Sequence, residues 1–342
     1  MKQKVKVGIL GATGYTGVEL CKIISRHPNA NLVFLTSETY ADKRMHEVFP
    51  ELRGVCEHKL IPLEEGIERR ADVVFSCLPH AKSADTCLKF LERRIRIIDL
   101  SADFRIESPD EYKKWYGNNH PNIEILKTAI FGLPELYRPR LRKSKLVANP
   151  GCFTVSILLP LIPLIHAKAI ELKDIIVDSK TGVSGAGRST KVTSLFVEAN
   201  ENFTPYSIGR EHRHLAEIDQ ELSKAAESEV KIIFSPHLLP VNRGILSTIY
   251  VNLTKSSLVN KIADIYQSAF KKSCFIRITG NDIPQLRSVV NTNNCDIGWT
   301  HIAGTNRLII VSAIDNLLRG ASGQAVQNMN LMFGFEEKTA LI

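Results

Sequence analysis

The chain has 342 residues, of which 44% are hydrophobic and 23% charged, and its 44 Lys and Arg against 36 Asp and Glu leave a net charge of +8. That length exceeds what one hydrophobic core usually organises, and the ordinary composition excludes a disordered or low-complexity chain, so two folded domains are expected. The longest apolar stretch, Val155 to Ala169, carries Pro160, Pro163 and His166 and falls short of the roughly 20 apolar residues of a membrane span.

The N-terminus lacks the apolar run of a signal peptide, which predicts a cytoplasmic protein without a membrane partner. The basic residues are scattered, with no aromatic stripe or zinc-finger spacing, so anionic small molecules fit the charge better than nucleic acid. The cysteines at 21, 56, 77, 87, 152, 274 and 295 form no CxxC pair and no regular spacing with histidines, which predicts neither a disulfide framework nor a metal site.

In chain order, Val5 to Leu10 alternates as a strand, a glycine-rich turn follows, and Val18 to Arg26 reads as a helix closed by His27-Pro28-Asn29. A strand from Asn31 to Thr36 completes a βαβ unit, because parallel strands need a crossover helix. Strands at Val73 to Cys77 and Arg96 to Asp99, with a helix from Lys82 to Arg93 between them, extend this into a doubly wound sheet over the first 150 residues. After Pro150 the pattern changes to an apolar helix and then to strands near Ile175 to Ser179, Lys231 to Ser235, Ile245 to Leu253 and Leu308 to Ala313. Helices at His214 to Ser228 and Ser257 to Phe270 complete an α+β domain, and Asn316 to Met332 is helical in composition. Gly320 and Gly323 in that last segment predict close packing.

The turn Gly11-Ala12-Thr13-Gly14-Tyr15-Thr16-Gly17 sits between a strand and a helix. There, glycines let the backbone turn tightly and approach a pyrophosphate, whose charge is met by helix N-terminal amides. At the end of the second strand two readings stand open. Ser37 with Lys43 and Arg44 would hold the 2′-phosphate of NADP, whereas Glu38 would accept from the free ribose hydroxyl of NAD.

Among the cysteines, Cys152 has a distinctive context. Asn149-Pro150-Gly151-Cys152 places it after a Pro-Gly turn at the start of the apolar helix, where amides favour a thiolate. A nucleophilic thiolate needs an acid or base, and the densest candidate group is Glu211-His212-Arg213-His214 with Glu217 on the same helical face as His214. His237, between two prolines, is a weaker candidate. A second glycine-rich loop, Thr181-Gly182-Val183-Ser184-Gly185-Ala186-Gly187-Arg188, offers close backbone approach with polar handles at Ser184 and Arg188.

With Leu100-Ser101-Ala102-Asp103-Phe104-Arg105, Gly132-Leu133-Pro134-Glu135-Leu136, Pro236 to Leu246 and Asp315 to Asn330, these motifs run nearly end to end. The whole resembles the N-acetyl-γ-glutamyl-phosphate reductase family, relatives of aspartate-semialdehyde dehydrogenase. The resemblance implies a Rossmann-type NADP-binding domain over residues 1–150 plus 316–342, its final helix returning to it, and an α+β catalytic and subunit-contact domain over 151–315. It implies Cys152 as nucleophile, His214 as acid/base aided by Glu217, and Ser184, Gly185, Asn316 and Pro79 on the cofactor. Asn149, His212, Arg105, Arg188 and Arg243 would meet an acyl-phosphate substrate, arginine binding such anions bidentately. A homodimer or homotetramer is implied, and no metal. Three positions depart from the family pattern: Thr154 replaces a proline after the cysteine motif's aromatic residue, Ala216 replaces a proline before Glu217, and Glu38 replaces a basic residue.

Overall fold

The N-terminal succession of apolar strands and crossover helices builds a wholly parallel sheet. In the computed structural model, which describes residues 3–189 and 192–341, it consists of β1 (Val5–Leu10), β2 (Ala30–Thr36), β3 (Leu60–Ile61), β4 (Val73–Ser76), β5 (Arg96–Asp99), β6 (Ile130–Phe131) and β7 (Leu146–Ala148). Their order is β3-β2-β1-β4-β5-β7-β6. The chain winds one way from β1 to β3 and the other way from β4 onward, so the switch point lies between the carboxyl ends of β1 and β4. Helices cover both faces, which is why β4 is buried along its whole length instead of alternating. The helices α1 (Tyr15–Ser25) and α2 (Ser83–Glu92) supply two of these crossovers. Leu10, Phe34, Val74, Phe90, Ile97 and Leu146 share the core of this unit.

The second sheet is mixed. It contains β8 (Ile176–Gly182), β9 (Thr204–Pro205), β10 (Ile233–Leu239), β11 (Ile245–Asn252), β12 (Ile276–Gly280), β13 (Cys295–His301) and β14 (Arg307–Ile314), in the order β12-β13-β14-β11-β8-β10-β9. β11 runs antiparallel to β8 and β14, while β10 pairs parallel with β8. Helices α3 (Cys152–His166), α4 (His214–Ala226) and α5 (Ile262–Phe270) belong to this unit. Every residue of α3 from Phe153 to Ile165 is buried, so its burial stabilises it despite Pro160 and Pro163. The segment read as one helix from Ser257 is a 3₁₀ turn over Ser256–Lys261 before α5 begins. β13 was not legible because Asp296 and Gly298 interrupt it; Arg277 on β12 holds the Asp296 carboxylate bidentately at 2.6 and 2.8 Å.

The chain divides into Met1–Pro150 with Ala321–Ile342, and Gly151–Gly320. The second division falls after Gly320, not at the expected 315/316. The physical reason is that Asp315 and Asn316 are tied into the second sheet's unit. The Asp315 carboxylate accepts from the amides of Asn291, Leu317 and Leu318 at 2.8, 2.8 and 2.9 Å. Asn316 accepts from the Gly244 amide at 2.8 Å. The expected helix from Asn316 therefore starts later, as α6 (Gly323–Phe333), after a wide turn over Leu318–Ser322.

α6 belongs to the first unit and is bound to it by buried amides. Gln324 and Asn328 donate to the Gly132 carbonyl at 2.8 and 2.9 Å, and Asn330 pairs with His27 at 2.9 Å. Satisfying these groups is what permits fully buried Gln and Asn on a helix. Among the described residues no helix is long and apolar enough to cross a membrane.

Candidate active site

In the first unit the glycine turn lies at the switch point. Gly11 has φ +68°, and a side chain there would fall 2.8 Å from the Cys77 carbonyl, so only glycine lets the turn run beside the strand end of β4. α1 starts at Tyr15 with Gly14 as its extended N-cap, no side-chain cap and no acidic residue in the first turn. Its amides are left for an anion. The Thr13 and Ser37 hydroxyls meet at 2.9 Å at the end of β2. Glu38 accepts from the Leu63 amide at 2.7 Å, so its carboxylate caps the short helix Leu63–Glu68. Arg44 donates to the Glu57 carbonyl at 3.2 Å, which withdraws it from the set read with Ser37. Lys43 lies over the Tyr40 ring. Pro79, in the loop after β4, is exposed, and its carbonyl receives the Lys82 and Ser83 amides that open α2.

In the second unit Cys152 is the first helical residue of α3, after extended Gly151. Glu217, fully buried on α4, accepts from the Gly151 amide at 3.0 Å and from the Thr154 hydroxyl at 3.1 Å. One carboxylate thus ties the first turn of α4 to the first turn of α3. That bond sets His214, the first residue of α4, directly over Gly151. A side-chain carbon on Gly151 would lie 2.5 Å from the His214 Nε2 atom, so the imidazole reaches the peptide beside Cys152 only because position 151 has no side chain. The backbone at Gly320 crosses equally close to Cys152, where an added carbon would fall 2.6 Å from the cysteine Cβ.

His212 lies beside His214. Its Nδ1 accepts from the His214 amide at 3.1 Å, and its ring packs among Phe153, Tyr206, Phe234 and His214. Burial, and after it the nearby His214, push its pKa down to about 3, so it stays neutral with its proton on Nε2. Asn149 is likewise committed: its amide donates to the Ala321 carbonyl and accepts from Asn328, both at 3.1 Å, inside the first unit. Arg105 is buried and donates to the Leu100 carbonyl at 2.6 Å. Arg243 lies 3.5 Å from the Asp315 carboxylate, and Arg188 is exposed on its loop. Asn316 donates to the Ser184 hydroxyl at 3.0 Å while Gly244 holds its oxygen, so the amide's orientation is determined. His237 pairs with Asp178 at 3.2 Å, on β10 and β8.

The departures from the family pattern acquire functions. Thr154 supplies the hydroxyl to Glu217, and the Ala216 amide donates to the Arg213 carbonyl at 3.3 Å, bonds that proline could not make. Tyr206 was not foreseen. Its phenol is raised above its usual range by burial and, after it, by charge at Cys152, and its ring lies 5.6 Å from that of His212. It lies in irregular chain after β9, where no periodicity marks it. Among the described residues no group of histidine, cysteine and carboxylate side chains could hold a metal.

A parallel dinucleotide-type sheet and a second unit in which a histidine lies over the glycine before a helix-start cysteine accompany matches to the semialdehyde dehydrogenases. The family described as "Semialdehyde dehydrogenase, NAD binding domain" matches residues 6–144, and "Semialdehyde dehydrogenase, dimerisation domain" matches 152–316. The aspartate semialdehyde dehydrogenase II of Vibrio cholerae complexed with ASA shares the fold, with a TM-score of 0.74 at 18% identity over 97% of this chain and 99% of that one. The Candida albicans aspartate semialdehyde dehydrogenase with NADP has a TM-score of 0.71 at 18% identity, covering 97% and 99%. The N-acetyl-gamma-glutamyl-phosphate reductases of Desulfotalea psychrophila and Moorella thermoacetica are 45% and 46% identical to it, each alignment covering 98% of both chains. The chain belongs to the N-acetyl-γ-glutamyl-phosphate reductase family.

Proposed function

We propose that this enzyme reduces N-acetyl-γ-glutamyl phosphate to the 5-semialdehyde and phosphate, in arginine biosynthesis, through a thioester on Cys152. The observation that carries this reading is the His214 imidazole set over Gly151 by Glu217, beside a cysteine at a helix start. The Cys152 thiolate attacks the acyl carbon, the carbon–oxygen bond to phosphate breaks, and inorganic phosphate leaves. Amides of the α3 first turn support the oxyanion. Bound NADPH would supply the hydride that reduces the Cys152 thioester. His214 protonates the carbonyl oxygen as charge develops and takes the proton back as the thiohemiacetal collapses, releasing aldehyde and restoring the thiolate.

The residues present fit NADPH. The uncapped start of α1 suits the pyrophosphate, and Thr13 and Ser37 suit the 2′-phosphate, since Glu38 is engaged with Leu63. In the second unit Ser184, Gly185 and Asn316 are the residues we assign to the nicotinamide. Arg188 and Arg243 are assigned to the substrate's anionic groups, and Arg105, in the first unit, has the weakest claim because Leu100 already engages it. On this reading the enzyme works in the cytoplasm as a homodimer or homotetramer.

The test is the reverse reaction: N-acetylglutamate semialdehyde with phosphate and either NADP or NAD, followed by nicotinamide absorbance. Phosphate-dependent reduction that is faster with NADP and abolished in Cys152→Ser is expected. Wild-type turnover in Cys152→Ser would end the thioester mechanism.

A further inference from the structure

Two histidines stand at the start of α4, and proton transfer needs only His214. His212 is anchored twice to that helix start: its Nδ1 accepts from the His214 amide at 3.1 Å, and its carbonyl accepts from the Leu215 amide at 3.0 Å. The first bond satisfies one of the amides that a helix leaves open at its N-terminus, and it determines the tautomer. With Nδ1 accepting, the ring's proton is on Nε2, which is a donor. Three rings hold the imidazole plane: Phe153 and Phe234 edge-on at 5.3 and 5.4 Å, and Tyr206, tilted, at 5.6 Å. The His214 ring is 4.8 Å away, and Phe153, the residue after Cys152, lies against both histidines. His212 is half-buried, and among the described residues its Nε2 has no hydrogen-bond partner.

The same surroundings keep the ring from becoming a cation. α3 and β10 present it with Phe153 and Phe234, which carry no charge. Burial and then His214 oppose its protonation, Glu217 favours it, and Arg213 opposes it again, with the neutral form prevailing. A neutral imidazole fixed by a helix-start amide can donate to an oxygen that is gaining charge without giving up its proton.

We propose that His212 is a second catalytic residue of the acyl-phosphate reaction, a neutral Nε2–H donor to an oxygen of the departing phosphoryl group. The inference rests on the reductase reading of this site. The two imidazoles then divide one substrate between them: His214 serves the carbonyl oxygen and exchanges a proton, and His212 serves a phosphoryl oxygen and keeps its own. The carbon–oxygen bond breaks, the phosphate leaves with the electron pair, and no bond to His212 forms or breaks.

The experiment uses the full-length protein in the reverse direction, with N-acetylglutamate semialdehyde and NADP fixed and inorganic phosphate varied. His212→Asn keeps an acceptor for the His214 amide and removes the donor. The KM for phosphate should rise about tenfold or more, the effect of one hydrogen bond to a charged oxygen. NADPH affinity and the rate of Cys152 alkylation by iodoacetamide should stay at their wild-type values. His212→Gln places an amide N–H near the Nε2 position and gives up the acceptor, so the phosphate KM should recover most of that loss while the melting temperature falls. Nitrogen NMR of the labelled imidazole should show the neutral Nε2–H tautomer from about pH 5 to 8. An unaltered phosphate KM in His212→Asn overturns the proposal. So does a fall in alkylation rate that matches the rise in KM, because a mere brace for the helix start would produce it. A cationic ring at neutral pH overturns the neutral donor. Wild-type turnover that does not depend on phosphate overturns the reductase reading and this inference with it.

Discussion

Two helix starts in this protein share one construction and differ in electrostatics. α1 and α3 each begin after an extended glycine with no side-chain cap of its own. The start of α1 has no acidic residue in its first turn, so its positive end is available to an external anion. At α3 a buried carboxylate from α4 occupies the Gly151 amide and the Thr154 hydroxyl. The first arrangement keeps its amides clear of protein carboxylates. The second spends part of its field on a protein carboxylate in exchange for alignment, because the bond that engages Glu217 also brings His214 over Gly151. A helix N-terminus alone therefore does not define its task; what the rest of the fold places on it does.

Glycine-to-alanine changes break the two starts separately. Gly151→Ala drives a methyl into the His214 ring, and turnover is expected to fall about 100-fold with unchanged NADPH affinity, read by steady-state kinetics and fluorescence titration. Gly11→Ala meets both positive φ and the Cys77 carbonyl, a cost on the order of 1–3 kcal/mol. Its NADPH affinity should fall about tenfold or more while the rate of Cys152 alkylation stays at the wild-type value. Equal damage to both readouts by either change would dissolve the distinction.

A smaller effect concerns pH. His212 has a value of about 3 in the folded protein against 6.5 for an ordinary histidine, so between these values the unfolded chain binds a proton that the native ring refuses. Stability should then rise with pH across that window and be lost on acidification. His212→Asn, which keeps an acceptor for the His214 amide, should flatten the slope of the melting temperature between pH 4 and 6.5. An unchanged slope would show that the ring is not held neutral. The smallest effect is expected for Glu38→Ala: with its carboxylate capping Leu63, the NADP to NAD preference should move by no more than about twofold.

Much of the site was legible because it rests on local chemistry. The strand–glycine–helix pattern placed Gly11 to Gly17, and a cysteine after Pro150-Gly151 stood out from six other cysteines at positions without such context. What escaped were residues whose meaning comes from distant partners. Glu217 reads as a helper of His214 three residues away, while its Oε2 reaches Gly151 and Thr154 on another helix. Asn149 reads as a site residue, and the sequence does not show that its amide bonds to Ala321 and Asn328, far along the chain. Glu38 was one of two open readings for the ribose, and the sequence does not show that its carboxylate accepts from the Leu63 amide.

By itself the sequence determined the doubly wound first sheet, the α+β second region, the glycine turn between strand and helix and the cysteine at a helix start, since periodicity, glycine geometry and helix-start signals all act over a few neighbouring residues. Only the tertiary structure decided which carboxylate braces the cysteine's helix and which histidine is held neutral. Those depend on contacts between residues far apart in the chain, and no local pattern records where a side chain's partner will be.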